Sequence, residues 1–251
     1  MDKIDEILNS FEAITLEELD VVRLLDRVET KYVFNIENLP VVLMDMKSNY
    51  RILEIAGVRK NSYQTVYYDT DDFFMYHQHH NGKLNRYKVR LRRYCDSGLN
   101  YFEIKRKNNL SRTIKSRVKR SDFSIDIEGK STSLLQEKTG FSPENLKPVI
   151  WDTYTRMTFS SKDLSERLTI DMNLRYNNEV NEKEYHDLII AEIKQSKATG
   201  SDFHLLMKKH KIPTMSISKY CLGMINLYKG IKSNNFKWKM LRINKILKYD
   251  N

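Results

Sequence analysis

From Arg86 to Arg92 every second residue is a cation: Arg86, Lys88, Arg90 and Arg92 alternate with Tyr87, Val89 and Leu91. A period of two belongs to a β-strand, whose successive side chains point to opposite faces. The segment therefore reads as a strand with one apolar face and one wholly cationic face. Neighbours on a strand face lie about 7 Å apart, so each adjacent pair repels by roughly 0.6 kcal/mol in water. At an effective dielectric near 20 the repulsion is about four times larger. Solvated strand faces ordinarily mix hydroxyls, amides and both signs of charge. A face that stacks like charges calls for an anion to offset them.

The same bias recurs along the chain. Arg27, Glu29 and Lys31 share a face, with Val28 opposite. Glu103, Lys105 and Lys107 oppose Phe102 and Ile104, and Lys115, Arg117 and Lys119 oppose Ile114 and Val118. Arg167, Thr169 and Asp171 oppose Leu168 and Ile170, and Glu192 and Lys194 oppose Ala191 and Ile193. With 43 Lys and Arg against 33 Asp and Glu, the net charge is +10. Nucleic acid, an anionic membrane face and a phosphorylated small molecule are the partners this charge admits. Glu29, Glu103, Asp171 and Glu192 stand among the cations, where each either neutralises a neighbour or, on an enclosed face, binds Mg²⁺ or Mn²⁺ together with phosphate. Arginine adds planar bidentate contacts to phosphate, and lysine a point charge.

Strand-like segments are predicted at 27–34, 63–68, 85–95, 100–107, 113–119, 149–157, 166–172 and 187–195, bounded by turn-formers such as Asn81-Gly82, Asp96-Ser97-Gly98 and Asn177-Asn178. Short helices are expected within 2–25, where Ile4, Ile7, Leu8 and Phe11 form a stripe, and at 71–78 and 132–139. A helix from about Pro40 carries Val42, Leu43 and Met46 inward, and longer ones are expected at 201–210, 217–229 and 236–248. Tight turns imply antiparallel neighbours. The expected fold is α+β: a large antiparallel sheet of about eight strands, open or closed into a β-barrel with a cationic interior, flanked by helices. One domain over 1–251 is expected, with N-terminal helices (1–25), a tunnel core (26–230) and a basic C-terminal helix (231–251). That last helix is expected to dock its apolar stripe on the domain, with a membrane-surface role as the alternative.

Neither a stretch of about 18 apolar residues nor a signal-like N-terminus is present, and Cys95 and Cys221 are too few for a disulfide framework, so a soluble cytoplasmic protein is expected. P-loop and dinucleotide-binding glycine motifs are missing. His77, His79 and His80 are expected in a surface loop rather than a zinc site. Tyr87 and Tyr94 are assigned to the face opposite Arg90 and Arg92, which argues against base stacking and nucleic-acid binding.

At these residues the sequence resembles the polyphosphate-polymerase domain of the vacuolar transporter chaperone family, within the triphosphate tunnel metalloenzymes. The matching stretches are Arg27-Val-Glu-Thr-Lys31-Tyr32, Tyr67-Tyr-Asp-Thr70, Phe74-Met-Tyr76, Lys88-Val-Arg90-Leu-Arg92-Arg-Tyr94 and Phe102-Glu-Ile-Lys105. They continue through Tyr154-Thr-Arg156, Arg167-Leu-Thr-Ile-Asp171, Glu192-Ile-Lys194 and Ser218-Lys219-Tyr220. The resemblance implies an eight-stranded tunnel holding a triphosphate or growing polyphosphate chain. It makes Lys31, Arg90, Arg92, Lys105, Arg156 and Lys219 the catalytic phosphate ligands, with Lys194 nearby and Glu192 the metal carboxylate. Lys115 and Arg117 line the tunnel further along. Arg27, Lys88, Lys107 and Arg167 join the substrate-binding set, and Glu29 and Asp171 the metal set, from their shared strand faces. Lys31, Arg90 and Arg92 are expected to lack a paired acid.

Tunnel triphosphatases open with Glu-x-Glu-x-Lys, whereas Arg27 stands at the first position here, as in the polymerase branch. The expected activity is transfer of the ATP γ-phosphate to polyphosphate, pyrophosphate or phosphate, with Mn²⁺ or Mg²⁺ as cofactor. Hydrolysis in the same tunnel and non-catalytic polyphosphate binding are the alternatives. A separate membrane partner is compatible with the chain.

Overall fold

The computed structural model describes residues 3–21, 28–109, 113–195 and 200–248. Its first elements are α1 (Lys3–Asn9), β1 (Ala13–Ile14), α2 (Leu16–Val21), β2 (Val28–Asn35), α3 (Leu39–Met46), β3 (Tyr50–Leu53) and β4 (Asn61–Asp69). Then come α4 (Phe74–His80), β5 (Arg86–Tyr94), β6 (Leu99–Lys107), β7 (Thr113–Arg120), α5 (Lys130–Thr139) and β8 (Lys147–Ser161). The last are β9 (Glu166–Asn177), β10 (Glu182–Tyr185), β11 (Leu188–Gln195), α6 (Asp202–Lys209), α7 (Lys219–Leu227) and α8 (Lys237–Leu247).

Eight strands form the main ladder in the order β2-β11-β9-β8-β4-β5-β6-β7, with every pairing antiparallel. The architecture is α+β, as the tight turns required. Closure differs from the expected barrel: among the described residues no strand pairing joins β2 to β7. The β2 edge is taken by the segment before α7, where Tyr32 bridges Thr214 and the Met215 N–H donates to the Lys31 carbonyl at 2.9 Å. The β7 edge is studded with Lys115, Arg117 and Lys119, and cations discourage edge pairing. The sheet nevertheless curls. Lys105 on β6 feels the charges of Lys194 and Glu192 on β11, and Lys88 on β5 that of Lys31 on β2, although these strands are far apart along the ladder.

Apolar residues of one parity cover the outside of the curl. Tyr32, Phe34, Phe159, Leu168, Ile170 and Ile193 pack under α1, α3 and α6, with Val42, Leu43 and Met46 buried as α3's spacing required. Val66, Val89, Leu91, Phe102 and Ile104 pack with Met75 of α4 and Leu135 of α5. Inside the curl, α7 and α8 pack on Val33, Tyr67, Ile150 and Tyr176. Gly223 permits α7 to lie this close, since a Cβ there would come within 2.8 Å of the Tyr176 ring. Ile243 and Leu247 dock α8 on the domain, which leaves Trp238 and Leu241 half exposed.

Three short strands, β1, β3 and β10, were not expected, and β8 and β9 run past their expected ends. The cause in β9 is a bulge: Asn173 has φ 54° and the register against β8 shifts between Thr153 and Thr155. Beyond it the inward parity changes from Asp171 to Leu174 and Tyr176, which breaks the sequence period. The histidines also differ from expectation. They lie on α4, with His80 buried and bonded to Asn235. No helix among the described residues is long and apolar enough to cross a membrane.

Candidate functional site

The inward row of β5 faces further cations across the ladder. The register sets Lys88 opposite Lys105, and Lys105 opposite Lys115. Like charges directly opposed on neighbouring strands destabilise a sheet. The lysines respond by holding their protons weakly. Burial, with repulsion from Arg86, Lys31 and Arg90, lowers Lys88 to about 8. Burial lowers Lys115 to about 8 despite the pull of Glu103. Lys105 is driven well below the ordinary lysine value, first by Arg90 and then by burial.

Three carboxylates offset this charge. Glu103, fully buried, accepts from Arg90 Nε at 2.8 Å and Nη2 at 2.6 Å and also pairs with Lys115. Asp171 accepts from Arg156 Nε at 2.5 Å and Nη2 at 2.8 Å and also from Lys219. Glu192 pairs with Lys31 at 2.5 Å and Lys194 at 2.6 Å. Burial pushes each acid upward, but the cations outweigh it. All three remain below the usual carboxylate range, Asp171 at about 2. Lys31 and Arg90 are thus ion-paired, contrary to the expectation that they lack acids. Their acids sit on neighbouring strands, where the register and not the sequence spacing brings them. Arg92 is held differently: it reaches Thr65 Oγ1 at 3.4 Å and lies over the rings of Tyr63 and Tyr154.

Lys88, Lys107 and Arg86 line a cavity at one end of the curl. Arg117 is an exposed residue over the Tyr101 ring, and Arg167 stands opposite Lys194 in the register. Arg27 lies outside the described residues.

Several contributors escaped the sequence reading. Tyr94 is two residues from Arg92 and shares its face, opposite Tyr63, so its earlier assignment to the outer side is corrected. Tyr63 and Tyr154 stack at 5.2 Å, and Arg156 lies over both. Asp152, also inward, is buried opposite Thr65 and Tyr176. Burial raises its carboxyl against the opposing pull of Arg92 and Lys219. Its parity with Arg156 on β8 was the available signal. Asp69, at the end of β4 on the same side as Tyr67, anchors the neighbouring helices: it accepts the N–H groups of Met75 and Tyr76 at the start of α4 and the Tyr220 hydroxyl of α7. Ser218 caps α7, its Oγ accepting from Cys221 N–H at 3.3 Å and from Lys88 Nζ at 2.9 Å. Lys88, Ser218 and Lys219 therefore meet at the positive end of a helix, an arrangement suited to anions.

The carboxylates bear on a divalent metal. Glu29 and Glu192 converge on the Lys31 ammonium, at 3.8 and 2.5 Å. Lys31 and Lys194 take both Glu192 oxygens, and among the described residues no group of three or more His, Cys, Asp or Glu side chains converges, so a divalent ion here would need to displace an ammonium group and be completed by phosphate oxygens. Asp171 has both oxygens engaged by Arg156 and Lys219.

The VTC domain family profile matches residues 26–228. A candidate adenylate cyclase from Bacillus halodurans is 14% identical, with a TM-score of 0.53 over 77% of this chain and 94% of its own. A candidate adenylyl cyclase from Hippeastrum, described as having a dominant triphosphatase activity, is 11% identical, with a TM-score of 0.52 over 82% of this chain and 99% of its own. These likenesses establish a shared fold. No curated protein matches the chain significantly.

Two outcomes are expected. Arg90→Ala leaves buried Glu103 with Lys115 alone and should cost about 3 kcal/mol of stability. Arg92→Ala should change stability by under about 1 kcal/mol yet weaken tripolyphosphate binding roughly tenfold to a hundredfold. Denaturant titration and calorimetry of both variants distinguish the two roles, and equal stability losses would contradict it. The second outcome concerns protons. A lysine whose folded value lies below its unfolded value of about 10.4 loses its proton first in the folded chain. The stability of the empty protein should therefore rise with pH from about 8 upward, since Lys88 and Lys115 sit near 8. A bound polyanion favours the charged lysines, so binding near about pH 8.5 should take up protons. Calorimetry in buffers of different ionisation heat measures the uptake, which Lys88→Met and Lys115→Met should each reduce.

Proposed function

The chain belongs to the VTC domain family, and from this membership we propose that it synthesises polyphosphate, passing the γ-phosphate of ATP to the end of a chain held on its inner face. The observation that carries the reading is the inward cation row. From Arg86 to Arg92 it extends about 20 Å. It continues sideways through Lys105 and Lys115. A repeating anion matches a repeating row, whereas a single phosphate would leave most of it uncompensated.

In this reading Arg90, Arg92, Lys105 and Lys88 hold successive phosphates, and Arg156 and Lys219, oriented by Asp171, hold the transferring group from the other side. Lys31 and Lys194 exchange their pairing with Glu192 for phosphate oxygens when substrate enters. Lys115, Arg117, Lys107, Arg167 and Arg27 extend the electrostatic path. Transfer between phosphate oxygens needs no protein nucleophile; alignment and charge neutralisation account for most of the rate. Bound at Glu192 and Glu29, Mn²⁺ or Mg²⁺ would neutralise charge on the phosphate oxygens.

Incubation with ATP and Mn²⁺ or Mg²⁺, read as product size on a gel, tests the proposal. Long anionic polymer is the expected product. Free phosphate alone would replace synthesis by hydrolysis in the same tunnel, and tight polyphosphate binding without turnover would leave a binding module. Glu192→Gln should lose turnover at every Mn²⁺ concentration while metal-free polyphosphate affinity holds or increases. Unchanged metal dependence would remove Glu192 from the metal set.

A further inference from the structure

Asp152 is unlike the acids that neutralise the inner row. Glu103, Asp171 and Glu192 each accept from two cations. Asp152 is only 2% exposed, yet among the described residues neither of its oxygens meets a donor in hydrogen-bonding geometry. The cations that pull on it are engaged elsewhere: Arg92 reaches Thr65 Oγ1, and Lys219 gives its proton to Asp171. Two neighbours share the deficit. Tyr154, two residues along β8, and Tyr176, opposite Asp152 in the register, are buried with unpartnered hydroxyls. Buried polar atoms are nearly always satisfied. Two carboxylate oxygens and two hydroxyls left unmet beside two cations call for a ligand. That ligand must accept from the cations and hydroxyls and donate to the carboxylate.

An anion held by Arg92 and Lys219 supplies the acceptors. To meet Asp152 it must also carry a proton, because a carboxylate only accepts. This requirement separates two kinds of phosphate. Orthophosphate and the end phosphate of a chain keep an ionisable proton near neutrality. An internal phosphate, bridged on both sides, is a strong acid and keeps none. We propose that Asp152 is a specificity-determining residue that reads the acceptor's end: it accepts a hydrogen bond from the P–OH of orthophosphate, or of the terminal phosphate of a chain, held by Arg92 and Lys219. The inference rests on the phosphate-holding face proposed above and deepens it by naming the form of the acceptor. Arg92 belongs to the set that holds the chain and Lys219 to the set that holds the transferring group, and Asp152 feels both. A chain seated there presents its end to the donor. A chain seated through an internal phosphate sets negative oxygen against carboxylate and is rejected.

Sulfate matches orthophosphate in shape and carries no proton near neutral pH, so the pair isolates this contact. Metal-free calorimetry at matched ionic strength compares the two anions in the wild type and Asp152→Asn, with circular dichroism to verify folding. The wild type should bind orthophosphate at least about tenfold more tightly than sulfate. Asp152→Asn, whose amide donates as well as accepts, should bring the two affinities within about twofold, chiefly by gaining sulfate. Equal affinities in the wild type, the behaviour of a protonated Asp152 that donates to either anion, would overturn the assignment. So would binding of neither anion, the behaviour of a site that admits water alone, or a phosphate preference that survives in Asp152→Asn. Selectivity that depends on Asp152, beside a gel without polymer, would defeat only the synthesis reading. Polymer made by a wild type that does not distinguish the anions would defeat only the role of Asp152.

Discussion

Ammonium groups of Lys88, Lys105 and Lys115, directly opposed across β5, β6 and β7, repel one another inside a curled sheet. The rest of the structure is arranged around holding them there. Burial raises the cost of each charge, and the folded chain answers by weakening the lysines' hold on their protons. Glu103, Asp171 and Glu192 each serve two cations, so the carboxylates neutralise only part of the row. An apolar core on the outside of the sheet supplies the compensating stability. The inner face can then remain electrostatically unfavourable until an anion enters.

Placement of α7 follows from the same arrangement. Its first turn brings Ser218 to Lys88 and Lys219 to Asp171, and Tyr220 fastens it to Asp69 at the end of β4. Lys219 at a helix N-terminus is electrostatically unfavourable by itself. It is tolerated because Asp171 meets it, and a bound phosphate would meet it better. Structure and proposed chemistry thus use one set of contacts: acids occupy in the empty protein the cations that substrate oxygens would take.

Much of this was legible in the sequence because strand parity is a local property. The alternation at Arg86–Arg92 reveals both faces of β5, and the spacing of Val42, Leu43 and Met46 reveals the buried side of α3. Pairing is not local. Glu103 is placed opposite Arg90, and Glu192 opposite Lys31, by registers that depend on turn geometry and on which strands become neighbours. Bulges defeat parity outright, as at Asn173, where one extra residue turns Tyr176 inward. Tyr94 and Asp152 needed no structure: each lies an even number of residues from a recognised inward cation. The open edge between β2 and β7 could not be read, because it reflects the later segment at Thr214–Met215 covering β2.

The central claim is that the lysine row is retained at the expense of stability in order to hold a polyanion. Thermal unfolding of the wild type and a Lys88→Met, Lys105→Met variant, each with and without tripolyphosphate at matched ionic strength, tests it directly. The account expects the empty variant to melt higher than the empty wild type, and tripolyphosphate to raise the melting temperature of the wild type by more than that of the variant. An empty variant that melts lower, or one that tripolyphosphate stabilises as strongly as the wild type, would contradict it.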